Sequence, residues 1–213
     1  MIDLRESSRA VLCNDSAQLI LASGSDTRAA MLRSAGLVFS VERPAVDEDE
    51  TKLSLRADRA PASVVAETLA ELKAIRVSVR HAGAYVIGAD QVLDCDGEMF
   101  DKPGSAAEAF GQLKRLQGKS HQLVSAVVVV RDRQRLWHHI DRASLTMRPC
   151  SDEFLQRYVR IMGDTALASV GAYQIEGLGI QLFNKIRGDH FTILGLPLLA
   201  LLGFLREAGI VPR

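Results

Sequence analysis

The chain has 213 residues, enough for one compact domain or for two small lobes around a shared core. Hydrophobic residues make up 47% of it and charged residues 24%, as in an ordinary globular protein. Lysine plus arginine and aspartate plus glutamate number 26 each, so the formal net charge is zero. This balance disfavours a general nucleic-acid binder, which usually carries a basic excess.

The cysteines and the apolar runs of the sequence predict the cellular compartment of the protein. Cys13, Cys95 and Cys150 are far apart and form no CxxC pair, which disfavours a disulfide framework or a structural zinc site and suits a reducing cytosol. There is no apolar run of ~18 residues that would predict a membrane span. Residues 1–17 are polar and lack the apolar core of a signal peptide. We therefore expect a cytoplasmic protein without a membrane partner, in which residues 1–17 form a poorly ordered extension.

The first part of the chain predicts alternating strands and helices. Asp26 is the predicted N-cap of the first helix, which ends at Gly36. Residues 44–60 are acidic and then mixed, without a clear period, and predict a loop. The predicted elements are strands at 18–23 and 37–41 and helices at 27–36 and 61–80.

The second part continues the mixture. The pair Asp96-Gly97 predicts a tight hairpin turn, and Gly188-Asp189 predicts a second hairpin. The predicted elements are strands at 84–94, 121–132 and 135–149 and helices at 105–118, 151–161 and 196–209. This mixture without repeats predicts an α/β protein with a mixed sheet.

Asp90 ends the apolar run AYVIGAD, where a carboxylate is costly unless it is paired, hydrogen-bonded or bound to a metal. Ligands of open α/β sheets gather beyond the strand ends, so Asp90 is a candidate base or metal ligand. The alternative is a structural aspartate that caps a loop.

Ser23 and Arg28 lie around a loop that follows a strand and opens a helix, where backbone N–H groups and the helix dipole favour an anion. Arg28 reaches the same place with its planar guanidinium. Plain helix capping is the alternative. Lys73 and Lys102 are two further candidate cations for the anion site. The alternative is that they are solvated, as most lysines are. Pro103 restricts the backbone of Lys102, which favours a fixed position.

Two acidic features complete the candidate site. The run VDEDE at 46–50 offers oxygen ligands to a hard cation such as Mg²⁺, or else is a solvated surface. Glu176 stands in a glycine-rich stretch. A carboxylate there can accept two hydrogen bonds from the edge of guanine. The alternative is that Glu176 belongs to a connecting loop. Together these residues favour hydrolysis of a polyphosphate, in which metal and cations hold the phosphates and Asp90 serves the attacking water.

Six blocks of the sequence resemble the Maf family of nucleoside triphosphate pyrophosphatases, in the family's order and over about residues 18–208. They are LILASGSDTRAAMLRSAG, VDEDE, LAELKA, VIGADQVLDCDGEMFDKP, GAYQIEGLG and GDHFTILGLPL. The resemblance implies one domain over residues 18–213 with a two-lobed fold like that of the inosine triphosphate pyrophosphatases. In such a fold a mixed twisted sheet is flanked by helices, with a cleft between the lobes, and the protein is frequently a homodimer.

The resemblance also implies cleavage of a nucleoside triphosphate to a monophosphate and pyrophosphate with a divalent metal, Mg²⁺ or Mn²⁺. The implied catalytic residue is Asp90. The implied phosphate-binding residues are Ser23, Arg28, Lys73 and Lys102, and the implied metal or water ligands are Asp47 and Glu48, together with Asp90.

The sequence departs from the common family pattern at several positions. Asp26-Thr27 replaces Pro-Arg, which removes one cation near the phosphate loop. Gln91 and Glu176 stand where many members have Thr and Gln. A Gln and a Glu at these two positions resemble the branch of the family that acts on 7-methyl-GTP. They predict binding of that base rather than of uracil or thymine. A nucleotide-sensing protein of cell-division arrest with little turnover is the alternative function, and the inosine triphosphate pyrophosphatases are the alternative enzyme group.

Overall fold

The computed structural model describes residues 18–212, and the predicted extension at 1–17 lies outside them. Seven strands form one mixed sheet with the order β2-β1-β3-β5-β6-β7, and β4 pairs with β3 off this path. The strands are β1 (Leu19–Ala22), β2 (Ser40–Glu42), β3 (Tyr85–Cys95), β4 (Glu98–Phe100), β5 (Ser120–Arg131), β6 (Gln134–Met147) and β7 (Phe183–Arg187). The helices are α1 (Asp26–Ser34), α2 (Glu48–Ala57), α3 (Ala62–Ser78), α4 (Ala106–Leu116), α5 (Asp152–Met162), α6 (His190–Ile193) and α7 (Leu198–Glu207).

The sheet combines both strand orientations. β1 pairs in parallel with β2 and with β3, whereas β4 pairs antiparallel with β3 and β7 pairs antiparallel with β6. The predicted α/β class with a mixed sheet flanked by helices is confirmed. In the part of the chain that the structure describes, no helix is long and apolar enough to cross a membrane.

The described residues divide into two compact units. Unit 1 contains residues 18–91, Ser125–Asp141 and residues 189–212, and unit 2 contains Val92–Val124 and Arg142–Gly188. The predicted cleft between lobes and the single-domain boundary stay predictions.

The core of unit 1 is a continuous apolar cluster. Its strands are apolar on both faces, as in β1, where all four residues are buried. α7 adds Leu198, Leu201 and Leu205 to this cluster at helical spacing. β1 pairs in parallel with β3 as far as Ala22 opposite Gly88, and β3 then continues to Cys95. Asp90 therefore lies within β3, two residues beyond the end of β1, rather than at the end of its strand.

Three local predictions are wrong. The first helix is capped by Ser25, whose side chain accepts from Arg28 N, while Asp26 is its first residue. Residues 44–60 contain the helix α2 rather than a continuous loop. The predicted hairpin at Gly188-Asp189 is a strand followed by the short helix α6, because the Asp189 carboxylate accepts from Thr192 N and caps a new helix.

The DG turn is confirmed. Asp96 and Gly97 have φ values of 55° and 84°, the left-handed conformations that a two-residue hairpin turn requires. The turn joins β3 to β4 with Cys95 opposite Glu98.

His121 lies in the core of unit 2, where its Nε2 is 2.7 Å from the Tyr173 hydroxyl and its ring packs against Phe183. Burial lowers the pKa of His121 from 6.5 to about 4. Between pH 6.5 and about pH 4, His121 is therefore protonated more readily in the unfolded chain than in the folded protein. The stability that goes with a neutral His121 is present above about pH 6.5 and is lost as the pH falls toward 4.

We expect His121→Gln to remove this part of the acid sensitivity. The pKa difference corresponds to about 3 kcal/mol of unfolding free energy between pH 6.5 and 4. Urea unfolding of the wild type and the variant at several pH values across this window measures it. His138→Gln, at an exposed histidine, is the control for replacing a histidine by glutamine. Equal slopes for the wild type and His121→Gln would contradict the prediction.

Candidate active site

The loop between β1 and α1 is organised around a buried hydroxyl. Ser23 Oγ accepts hydrogen bonds from Ser25 N at 3.2 Å and from Arg28 Nη1 at 3.4 Å. Ser25 then starts the helix by accepting from Arg28 N. The structure thus brings Ser23 and Arg28 together, as the sequence predicts, at a helix N-terminus whose dipole favours an anion.

Arg28 is held from two sides. Its Nε donates to the Gly195 carbonyl at 2.8 Å, and its Nη1 donates to Ser23. Burial lowers the pKa of the Arg28 guanidinium, while the carboxylates of Asp90 and Glu48 raise it. An arginine remains charged under such conditions. Arg28 therefore presents a fixed positive charge within electrostatic range of both carboxylates.

A close approach of α3 to β3 places Lys73 beside Asp90. A Cβ added to Gly88 would lie 2.0 Å from the Ala70 carbonyl oxygen and 2.9 Å from Ala74 Cβ, so only glycine fits there. Asp90 follows two residues later on the same face of the strand and therefore also faces α3. Lys73 Nζ lies 2.6 Å from Asp90 Oδ1, and the two residues are only 6% and 7% exposed.

Lys73 also pairs with Glu48 at the start of α2. The distance from Lys73 Nζ to Glu48 Oε1 is 2.9 Å. Asp47 caps the same helix, with its Oδ1 accepting from Glu50 N at 3.0 Å. Asp47 is thus used as a helix cap, and its predicted role as a metal ligand stays a prediction. We call Arg28, Glu48, Lys73 and Asp90 the charged cluster.

The charged cluster is electrically balanced. Two cations and two carboxylates share it, and Lys73 lies between the two carboxylates. Sequence reasoning assigned Lys73 to the phosphates alone. The structure gives it a pairing role with both carboxylates, without which the buried Asp90 carboxylate would be costly, and its phosphate-binding role stays a prediction.

The side-chain amide nitrogen of Gln91 donates hydrogen bonds to other residues of unit 1. Nε2 lies 2.9 Å from Ser125 Oγ and 3.0 Å from the carbonyls of both Thr192 and Ile193. Ser125 in turn donates to the Thr192 carbonyl, and the Thr192 hydroxyl donates to Asp141. Both protons of this amide therefore already have acceptors in the protein, and the predicted role of Gln91 in binding the base stays a prediction.

Sequence reasoning missed Ser125, Thr192 and Gly195. A serine next to the run AVVVV is a weak signal, because a hydroxyl in a buried strand needs a partner. Thr192 and Gly195 gave no such signal, since their segment predicts a hairpin. Their importance comes from contacts with β3, β5 and α1, which are distant in sequence.

Lys102 and Glu176 belong to unit 2. Lys102 is exposed just after β4, and Glu176 is exposed in a tight loop. A Cβ on Gly179 would lie 2.4 Å from the Gln174 carbonyl oxygen, so that loop requires glycine there. The substrate-binding roles of Lys102 and Glu176 stay predictions.

The residues present fit a weakly held divalent cation. Between residues 18 and 212 no group of three or more His, Cys, Asp or Glu side chains is arranged to cage a metal. Asp90 and Glu48, however, already share one cation, the Lys73 ammonium. Mg²⁺ is commonly bound by one or two carboxylates together with substrate phosphates, and these two side chains are suited to that.

Comparisons with known proteins agree on one family. The profile of Maf-like proteins matches residues 18–208. A protein from Paramagnetospirillum magneticum named nucleoside triphosphate pyrophosphatase is 57% identical over 194 residues, 91% of this chain and 100% of that one. A protein of the same name from Granulibacter bethesdensis is 48% identical, over 89% of this chain and 96% of that one. A protein from Brucella abortus named 7-methyl-GTP pyrophosphatase is 50% identical, with the same coverage of 89% and 96%. The chain belongs to the family of Maf-like proteins.

Proposed function

We propose that the protein is a nucleoside triphosphate pyrophosphatase, which hydrolyses the bond between the α- and β-phosphates and yields a nucleoside monophosphate and pyrophosphate. The observation that carries this proposal is the charged cluster, in which the buried carboxylate of Asp90, within β3, is paired with Lys73 and lies within electrostatic range of Arg28. Its relatives named nucleoside triphosphate pyrophosphatase, at 57% and 48% identity, support it.

In this reaction Asp90 is the base. A water oxygen bonds to the α-phosphorus, and the bond from that phosphorus to the oxygen bridging to the β-phosphate breaks. One proton of the water passes to the Asp90 carboxylate, and pyrophosphate leaves. Arg28 and Lys73 stabilise the negative charge on the phosphate oxygens, because their charges are already fixed by the Ser23, Gly195 and carboxylate contacts.

Asp90 and Glu48 would hold the divalent metal of the proposed function, Mg²⁺ or Mn²⁺. When bound, it neutralises phosphate charge as a Lewis acid. The residues of the chain then position the nucleotide, and Lys73 remains close to both carboxylates as a second positive charge.

We propose 7-methyl-GTP as the preferred substrate, ahead of dTTP and UTP. Glu176 accepts hydrogen bonds from the N1–H and N2–H₂ groups of a guanine edge, whereas it repels the carbonyl oxygens of uracil and thymine. Two relatives at 50% identity carry the name 7-methyl-GTP pyrophosphatase, which supports this preference. Because the Gln91 amide nitrogen is engaged, base discrimination is assigned to Glu176.

The test of the function is pyrophosphate release from 7-methyl-GTP, GTP, dTTP, UTP, CTP, ATP and ITP with Mg²⁺ or Mn²⁺. We expect release to be greatest with 7-methyl-GTP. A maximum with dTTP or UTP would retain the activity and overturn the preference. Tight nucleotide binding without release would favour the nucleotide-sensing alternative.

Glu176→Gln is expected to shift the preference toward dTTP. The change removes a charged acceptor and presents an amide donor to the guanine edge. A hydrogen bond to a charged group contributes about 1.5–3 kcal/mol, so kcat/KM for 7-methyl-GTP relative to dTTP should fall roughly 10- to 100-fold. Glu153→Gln, at an exposed glutamate of α5, is the matched control. An unchanged ratio in Glu176→Gln would show that Glu176 does not contact the base.

A further inference from the structure

The end of α6 and the turn that follows it connect Gln91 with Arg28. Gln91 Nε2 donates to carbonyls of Thr192 and Ile193, and Gly195 follows two residues later. The Gly195 carbonyl accepts from Arg28 Nε at 2.8 Å. Gly195 N also donates to the Thr192 carbonyl, so Gly195 is bonded to the residue that Gln91 anchors.

Gly195 lies directly between the two side chains. A Cβ built on it would be 3.3 Å from Arg28 Nη2 and 3.7 Å from Gln91 Cδ, and its φ of +94° favours glycine. A displacement of the turn at 192–195 therefore moves the acceptor of Arg28 Nε. All these residues belong to unit 1.

The turn is held from three directions. Ser125 Oγ donates to the Thr192 carbonyl at 2.8 Å and accepts from Gln91. The Thr192 side chain donates to Asp141 Oδ2 at 2.7 Å. Ser125 and Thr192 are completely buried, so their hydroxyl groups depend on protein partners rather than on water.

We propose that Gln91 is a positioning residue for the triphosphate, which acts through the turn at 192–195 on the orientation of Arg28, and that it does not read the base. The inference rests on the proposed function, because it assigns Arg28 to the phosphates. Gln91 Nε2 carries two protons and already faces three acceptors, so a base that accepts from this nitrogen would have to displace a structural bond. The residue beside the catalytic aspartate thus determines how firmly the phosphates are held.

Inorganic tripolyphosphate separates the two roles because it has phosphates and no base. We would titrate it into the protein by calorimetry in the presence of Mg²⁺, with wild type, Gln91→Leu and Ser125→Ala. Leucine is similar in size to glutamine and has no donors. Two hydrogen bonds of ordinary strength correspond to a roughly tenfold weaker affinity for tripolyphosphate in Gln91→Leu.

Ser125→Ala removes one partner of Gln91 and leaves its bonds to the carbonyls possible, so we expect a smaller loss in the same direction. Gln117→Leu is the matched control. Gln117 lies in unit 2, and its side-chain oxygen accepts one hydrogen bond, from Cys150 N, which the substitution removes. It should bind tripolyphosphate like the wild type. Thermal unfolding verifies that each variant is folded, and Ser125→Ala carries the test if Gln91→Leu does not fold.

The kinetic pattern provides a second measurement. A positioning role lowers kcat/KM for 7-methyl-GTP and dTTP by the same factor, and the loss is smaller when Arg28→Lys is already present. Wild-type affinity for tripolyphosphate in a folded Gln91→Leu or Ser125→Ala, with an altered ratio between the two nucleotides, would overturn the inference. A wild-type protein that binds neither tripolyphosphate nor nucleotide would overturn the proposed function and this inference with it.

Discussion

Asp90→Asn is expected to abolish pyrophosphate release while the fold persists. The amide has the shape of the carboxylate but takes no proton at neutral pH, and loss of general base catalysis lowers rates by about 10²–10⁴-fold. The substitution also removes a negative charge next to the phosphates. Nucleotide affinity should thus be equal to that of the wild type or tighter when measured by calorimetry in EDTA, where the loss of a metal ligand has no effect.

The matched control is Asp94→Asn on the same strand. Asp94 accepts a hydrogen bond from Gly97 N in the DG turn and has a structural role there. Its variant should turn over at the wild-type rate. Wild-type turnover in Asp90→Asn would instead place the base elsewhere in the charged cluster, with Glu48 as the next candidate.

The sequence predicts the parts of the candidate site that depend on local signals. The apolar run before Asp90 predicts a buried strand, and the loop before Arg28 predicts a helix N-terminus. The DG pair has the left-handed backbone that two-residue turns need. These features are set by neighbours in sequence, so propensity and periodicity suffice to find them.

The contacts that complete the candidate site depend on residues far apart in sequence. The acidic run at 46–50 is the capped beginning of α2, because Asp47 and the acidic residues after it stabilise a helix N-terminus. Composition alone does not distinguish that role from a surface loop. The partners of Gln91 lie 34 to 102 positions away, so no local pattern predicts its role.

Lys73→Met is expected to be the most destabilising of the substitutions considered. It removes the only positive charge bonded to Asp90 among the described contacts and leaves a carboxylate that is 7% exposed without that partner. Breaking a buried ion pair in this way costs about 3–5 kcal/mol. We expect a loss near the lower end, because the Glu48 side chain is 40% exposed and can be solvated. Urea unfolding at pH 7 measures it.

Two further variants establish the cause of that loss. Lys114→Met breaks the exposed pair with Asp152 and should cost less than about 1 kcal/mol. The double variant Lys73→Met/Asp90→Asn removes both buried charges, so its stability should recover part of the loss. If the double variant loses as much stability as the two single variants together, Lys73 contributes through packing of its alkyl chain against β3. A recovery would show that the catalytic carboxylate is tolerated in the core because Lys73 is paired with it.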